Sequence, residues 1–278
     1  MRDLSATTIP KLVVVTNRHT AHYSLPDLAQ RALAGGADVV QIREKDLEER
    51  ALFKLTHSVL AAVVDPGRVM INGSVEIARR LGIGLQLPEG ANKPSETILS
   101  ELTLVGRSVH TQQSANATEW ADFLIAGHVF PTRSKPGRPP IGVDGLGKIT
   151  NSVTIPVIAI GGMTLERVGN VLATGAAGIA VLSAINDSDD PEAAARGFKS
   201  TLEAAMSNSQ TTVDVTVNGK QATIPSGQTI HDYLALRGFH DRMVVVELNG
   251  QIIRRAAFDT ATISAGDRIE IVHFVGGG

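Results

Sequence analysis

The sequence predicts an α/β protein made of an eight-stranded (β/α)8 TIM barrel followed by a small β-grasp domain. Two observations carry this. From Lys11 to about Ala205, near-continuous apolar runs of strand length alternate with amphipathic helical stretches, the pattern of a parallel sheet covered by helices. Near residue 206 the period changes to two, and short strands broken by Asn-Gly turns follow.

The strand candidates in order are Lys11–Thr16, Val39–Arg43, Arg68–Asn72, Gly84–Leu87, Thr103–Val109, Phe123–Phe130, Pro156–Ile160 and Gly178–Leu182. Between them, Leu25–Ala34, Glu48–Val64, Val75–Leu81 and Leu165–Ala173 carry helical periodicity, while the connections after the fourth, fifth and sixth strands carry weaker helical signals. Eight such units fit a closed barrel, with a doubly wound open sheet as the alternative. The barrel is assigned to residues 1–206. The polar stretch 207–211, Ser-Asn-Ser-Gln-Thr, reads as a linker. In residues 212–278, Val213, Val215 and Val217 alternate with polar residues and run into Asn218-Gly219, and Gln221–Ile224 returns. Thr229–Leu236 is helical, Val244–Leu248 runs into Asn249-Gly250, Ile252 begins the return, and Arg268–Phe274 is a last strand after Gly266-Asp267.

Bulk properties exclude several classes. A net charge of −2, with no polybasic run, leaves no footprint for nucleic acid. The absence of cysteine excludes disulfides, thiolate metal sites and a cysteine nucleophile. The longest apolar runs are far short of the roughly 20 residues that span a bilayer. Met1-Arg-Asp-Leu-Ser-Ala lacks the apolar core of a signal peptide. A cytoplasmic protein without membrane or nucleic-acid partners is expected.

In a barrel of this kind the chemistry sits where strands end and βα loops begin. Polar residues at those places are Arg43, Glu44 and Lys45; Asn72; Ser108 and His110; His128, Thr132 and Lys135; and Ser183. Gly161-Gly162 and Ser183-Ala184 follow the seventh and eighth strands, the usual phosphate position of the fold, where backbone N–H groups meet the anion. A pocket for a small phosphorylated molecule is expected. At the other end, the glycines at Gly276, Gly277 and Gly278 make a thin tail able to thread a narrow channel of a partner enzyme.

Taken with that tail, Val213-Asp-Val-Thr-Val-Asn-Gly219, Val244-Val-Val-Glu-Leu-Asn-Gly250 and Gly266-Asp267 resemble the thiamine sulfur-carrier family. The resemblance implies that Gly278 is adenylated with ATP by an activating adenylyltransferase. It then takes sulfur from a donor system as a thiocarboxylate and delivers it to thiazole synthase.

The first domain resembles the superfamily of thiamine phosphate synthases and thiazole tautomerases. The matching pieces are Gln41-Ile-Arg-Glu-Lys45, Ile71-Asn72, Gly106-Arg-Ser-Val-His110, Gly127-His-Val-Phe-Pro-Thr132 with Ser134-Lys135, Ile158-Ala-Ile-Gly-Gly162 and Val181-Leu-Ser-Ala-Ile185. The two branches differ in chemistry. The synthase joins a pyrimidine pyrophosphate to a thiazole phosphate and uses Mg²⁺ held by two aspartates. Here Asn72 is followed by Gly73, and Ala91 stands at the second position, with Glu89 nearby. The tautomerase needs no metal. It aromatises a carboxythiazole phosphate, which calls for a positioned base, and histidine, with an ordinary pKa near 6.5, is suited to that. Tautomerases resemble this chain at Gly127-His128-Val129-Phe130, where synthases usually carry proline in place of His128.

The reading favoured by this resemblance is a bifunctional protein with His128 as catalytic base and no metal. Phosphate rests on Gly161, Gly162, Ser183 and Ala184, Thr132 and Ser134 position the substrate, and His110 lines the pocket. Gln41, Arg43, Lys45 and Pro131-Thr-Arg-Ser-Lys135 resemble synthase binding segments, but also suit a substrate carrying phosphate and carboxylate. The alternatives are a Mg²⁺-dependent synthase and a non-catalytic docking module for the carrier.

Overall fold

The structure is a computed structural model of the 278-residue chain and describes residues 9–118, 120–210, 212–237, 239 and 244–273. The chain forms two compact units, Met1–Leu202 and Glu203–Gly278.

In the first unit eight strands, β1 (Leu12–Val15), β2 (Val39–Ile42), β3 (Val69–Asn72), β4 (Gly84–Leu87), β5 (Val105–Val109), β6 (Phe123–Gly127), β7 (Val157–Ile160) and β8 (Gly178–Val181), pair in parallel in chain order. β1 pairs with β8 and closes the barrel, so the doubly wound alternative is set aside. The helices between them are α1 (Leu25–Ala34), α2 (Glu49–Ala62), α3 (Val75–Leu81), α4 (Glu96–Glu101), α5 (Gln112–Asn116), α6 (Gly142–Thr150), α7 (Val168–Ala173), α8 (Ser183–Asn186) and α9 (Pro191–Gln210). Local chemistry starts several of them. Ser24, Ser74 and Ser95 accept an N–H from the first turn of α1, α3 and α4. Left-handed Gly82 ends α3.

The barrel interior is filled by side chains. Val13, Val15, Val39, Met70, Leu104, Phe123, Ile125, Ile158 and Ala180 form one buried cluster. Gly106 makes room for two of its large neighbours. A Cβ there would lie 2.1 Å from Gln86 Oε1 and 2.5 Å from the Phe123 ring.

Two expectations change. The sixth strand stops at Gly127, not Phe130, because Val129 and Phe130 turn to donate their N–H groups to Ile160 and Gly161. The expected linker is helical over 207–210, since α9 runs to Gln210, and Thr211 lies outside the described residues. Polar side chains do not stop a helix. No proline or glycine occurs from Phe198 to Gln210, and the alanines before the polar stretch favour continuation.

The second unit is a five-stranded mixed sheet, β10-β9-β13-β11-β12, built from β9 (Thr212–Val217), β10 (Lys220–Pro225), β11 (Val244–Leu248), β12 (Gln251–Ile253) and β13 (Arg268–His273), with α10 (Ile230–Leu236). Only β13 and β9 pair in parallel, as in a β-grasp fold. Its core gathers Val215, Ile224, Ile230, Tyr233, Leu234, Val246, Phe258, Ile263 and Ile269. The predicted working end, Gly277 and Gly278, lies outside the described residues.

Candidate active site at the barrel mouth

A pocket opens at the C-terminal ends of the barrel strands, and all eight strands or the loops after them contribute to its wall. Its apolar parts are Val15, Pro88, Ile125, Ile160 and Leu182. Its polar parts are Gln41, Arg43, Lys45, Asn72, Glu89, Ser108, His110, His128, Ser134 and Lys135. Gly127 and Gly161 complete it. Ten of the predicted site residues therefore meet in one place: Gln41, Arg43, Lys45, Asn72, Ser108, His110, His128, Ser134, Lys135 and Gly161. Thr132, Gly162, Ser183 and Ala184 are not part of this wall. Ser183 and Ala184 are exposed at the start of the four-residue α8. Thr132 turns its hydroxyl to Ser134, 3.2 Å away.

His128 is 8 % exposed. Its Nε2 lies 3.2 Å from the Arg138 carbonyl oxygen. A carbonyl can only accept, so Nε2 carries a proton, and in the neutral imidazole the lone pair falls on Nδ1. The glycine pair after β7 serves this histidine directly. A Cβ on Gly161 would sit 2.3 Å from the His128 Cβ, and one on Gly162 would sit 2.6 Å from the Pro131 carbonyl oxygen. Both glycines have positive φ, 106° and 64°. Close approach of two loops is thus a reason for glycine here, beside the phosphate role expected from sequence. Arg167 donates to the Gly162 carbonyl and stacks over Phe130, 4.5 Å from its ring centroid, which ties the two loops together.

Among the described residues the cations of the pocket lack ion-pair partners. No carboxylate within ion-pair distance neutralises Arg43, Lys45 or Lys135 among the described residues, whereas Arg18 beside them is held by Glu44 and Asp46. The positive charge of Arg43, burial and the charge of Lys135 together push the Lys45 ammonium below the usual lysine range. Burial pushes Arg43 down, against the neighbouring Glu44. Cations crowded at a cost to themselves form a site for an anion. Gln41 is 2 % exposed and its Nε2 has no partner among the described residues, so it too presents a donor to the pocket wall.

In the sequence Glu89 stands out only as a carboxylate near Ala91. In the structure its carboxylate accepts the His110 backbone N–H at 3.0 Å and lies 2.9 Å from His110 Nδ1. Burial pushes the Glu89 carboxyl up, but hydrogen bonds from Ser114 and His110 and the charge of His110 outweigh it and hold it below the usual range. The apolar wall could have been found from the last inward-facing residues of the strands. The Glu89–His110 pairing could not, since 21 residues separate the two.

The residues do not fit the Mg²⁺ site that the synthase reading calls for. Gly73 is exposed, with open space where a Cβ would stand, and Ala91 has no ligating atom in its side chain. Glu89 is the pocket's carboxylate, and His110 already engages it. No group of three His, Asp or Glu side chains is placed to hold a metal among the described residues. No helix of the described residues is long and apolar enough to cross a membrane.

Comparison with known proteins addresses the family. Residues 12–185 match the family described as thiamine monophosphate synthase, and residues 215–278 match the ThiS family. A thiamine-phosphate synthase of Pyrococcus horikoshii is 34% identical over 205 residues, covering 70% of this chain and 96% of the relative. One from Roseiflexus sp. (strain RS-1) is 33% identical over 201 residues, covering 69% and 85%. The solved thiamine phosphate pyrophosphorylase of Pyrococcus furiosus superposes with a TM-score of 0.61 at 31% identity, covering 70% of this chain and 96% of that one. The names of these relatives favour the transferase alternative over the tautomerase that the sequence motifs imply. With its matched barrel and the carrier domain that follows it, the chain belongs to the thiamine monophosphate synthase family and carries a ThiS sulfur-carrier domain fused at its C-terminal side.

Proposed function

We propose that the barrel is the tautomerase of this family: it takes a carboxythiazole phosphate to its aromatic isomer, with His128 as base. The observation that carries this is the state of His128. Its Nε2 donates to the Arg138 carbonyl, which leaves Nδ1 to act as the base at the wall of a pocket ringed by Arg43, Lys45 and Lys135. Those cations hold the substrate's two anionic groups, and Gln41 and Ser134 add donors. Removal of a carbon-bound proton leaves negative charge spread over the ring, which the same cations stabilise.

A second reading, a Mg²⁺-dependent thiamine phosphate synthase, is favoured by the relatives' names and by the segment Gln41 to Lys45. Against it stand Gly73 and Ala91. One pair of assays separates them. Wild type should aromatise the tautomer without added Mg²⁺, and His128→Ala should lose about 10²-fold or more in kcat. Formation of thiamine phosphate from the two phosphorylated precursors in Mg²⁺, with no isomerisation, would establish the synthase instead.

For the second domain the proposal is sulfur carriage as a thiocarboxylate on Gly278, with an adenylyltransferase using ATP, a sulfur donor and thiazole synthase as partners. The family match supports it. Intact-mass measurement after incubation with such an activating enzyme, ATP and a sulfur source should show replacement of one oxygen by sulfur. An unchanged mass sinks this reading.

A further inference from the structure

Isomerisation removes a proton from one carbon and places one on another. The pocket holds two histidines that donate through opposite ring nitrogens, and only one of them is used above. His128 has its proton on Nε2. His110 faces the Glu89 carboxylate through Nδ1, so a proton is there, and its Nε2 has no partner among the described residues. Glu89 is itself held in place. Its backbone carbonyl accepts from Arg107, whose guanidinium lies 5.3 Å from the Trp120 ring centroid, and its carboxylate also accepts the His110 backbone N–H. A histidine oriented by a carboxylate, with its other nitrogen free at a pocket wall, is arranged for proton transfer, since the carboxylate both fixes the tautomer and stabilises the imidazolium.

Building on the tautomerase reading, we infer that Glu89 and His110 form the second proton-transfer group of the site, and that the isomerisation uses a base and a separate acid. His128 Nδ1 takes the proton as the substrate C–H bond breaks, and the electron pair enters the conjugated ring. His110, as imidazolium, gives its Nε2 proton to the distal carbon, where the new C–H bond forms. The substrate loses one proton and gains one. The enzyme ends with His128 protonated and His110 neutral, and exchange with water resets both. His110 is a catalytic residue in this scheme and Glu89 a positioning residue. The charged groups around His110 are Glu89 from the loop after β4, Arg107 on β5 just before it, Arg43 and Lys45 from the loop after β2, and Lys135 from the loop after β6, with His128 as the other titratable group of the wall.

The experiment measures kcat and KM for aromatisation against pH in wild type, His110→Ala and Glu89→Gln. His110→Ala should lose about 10²-fold in kcat with little change in KM, and added imidazole should restore part of it. Glu89→Gln keeps the size and an acceptor but loses the charge. It should lower kcat about tenfold and move one limb of the profile to lower pH, which a merely structural role would not do. Should His110→Ala fail to fold, the Glu89→Gln profile decides alone. Wild-type conversion with both variants within about twofold in kcat and unmoved profiles would overturn this inference and leave the tautomerase standing. No conversion by wild type overturns both.

Discussion

Single residues decide whether the pocket works. Lys45 is the clearest case, because its lowered pKa records the cost of placing it beside Arg43 and Lys135. A phosphate ester bound there removes the repulsion and raises that pKa again. Affinity for phosphate esters should therefore begin to fall at a pH below the ordinary lysine value of about 10.4, and calorimetry in buffers of different ionisation heat should show proton uptake on binding. The stability sign runs the other way. A lysine whose folded pKa lies below its unfolded one is penalised while charged, and the penalty is relieved as pH rises through the folded value. Lys45→Ala should weaken phosphate-ester binding while leaving the urea midpoint unchanged or raised. Gly161 is decisive for a steric reason. Gly161→Ala adds a Cβ 2.3 Å from that of His128 at a φ of 106°. A stability loss of about 1–3 kcal/mol is expected in urea melts, with kcat reduced because His128 is displaced.

At the scale of elements, caps and turns that are legible in the sequence do the local work, but they also make contacts that are not legible there. Asn218-Gly219 reads as a hairpin turn, and the structure has Asn218 at φ 48° joining β9 to β10. Its side chain also accepts the Ile271 N–H at 2.7 Å, tying the turn to β13, which lies 53 residues on. Asn249 repeats this, accepting the Arg268 N–H at 2.8 Å. Asn218→Ala should cost about 1–2 kcal/mol from the left-handed backbone alone, and more with the lost bond. Asn218→Gly should recover the backbone part only. Amide exchange at Ile271 in the two variants separates the contributions. In the barrel, Ser24→Ala removes the cap of α1 and should cost about 1 kcal/mol, read as a shift of the barrel's unfolding midpoint.

For the whole molecule, each of the two units carries its own buried cluster, one inside the eight-stranded barrel and one under the mixed sheet. Two cores with separate apolar residues predict more than one cooperative transition. Calorimetry should give a measured unfolding enthalpy larger than the van't Hoff value, and destabilising the sheet with Asn218→Ala should move one transition only. A single transition with equal enthalpies would show that the units unfold together.

The sequence by itself determined the two folds and their order, because both rest on periodicity: apolar runs alternating with helices, then a period of two broken by Asn-Gly. It also determined which strand ends carry polar residues, so eight of the ten pocket residues were legible at strand ends or in the loops after them, while Gln41 and Ser134 came from the family resemblance. Tertiary structure alone decided the rest. Closure of the barrel depends on β1 meeting β8, which no local pattern encodes. The tautomer of His128 depends on a carbonyl ten residues away, and the partner of His110 on a carboxylate reached across two loops. The exclusion of Thr132, Gly162, Ser183 and Ala184 from the pocket wall depends on how the loops turn after the strands end. The physical reason is that a strand or helix is specified by neighbours a few residues away, whereas a pocket is made by side chains that meet only once distant segments have packed.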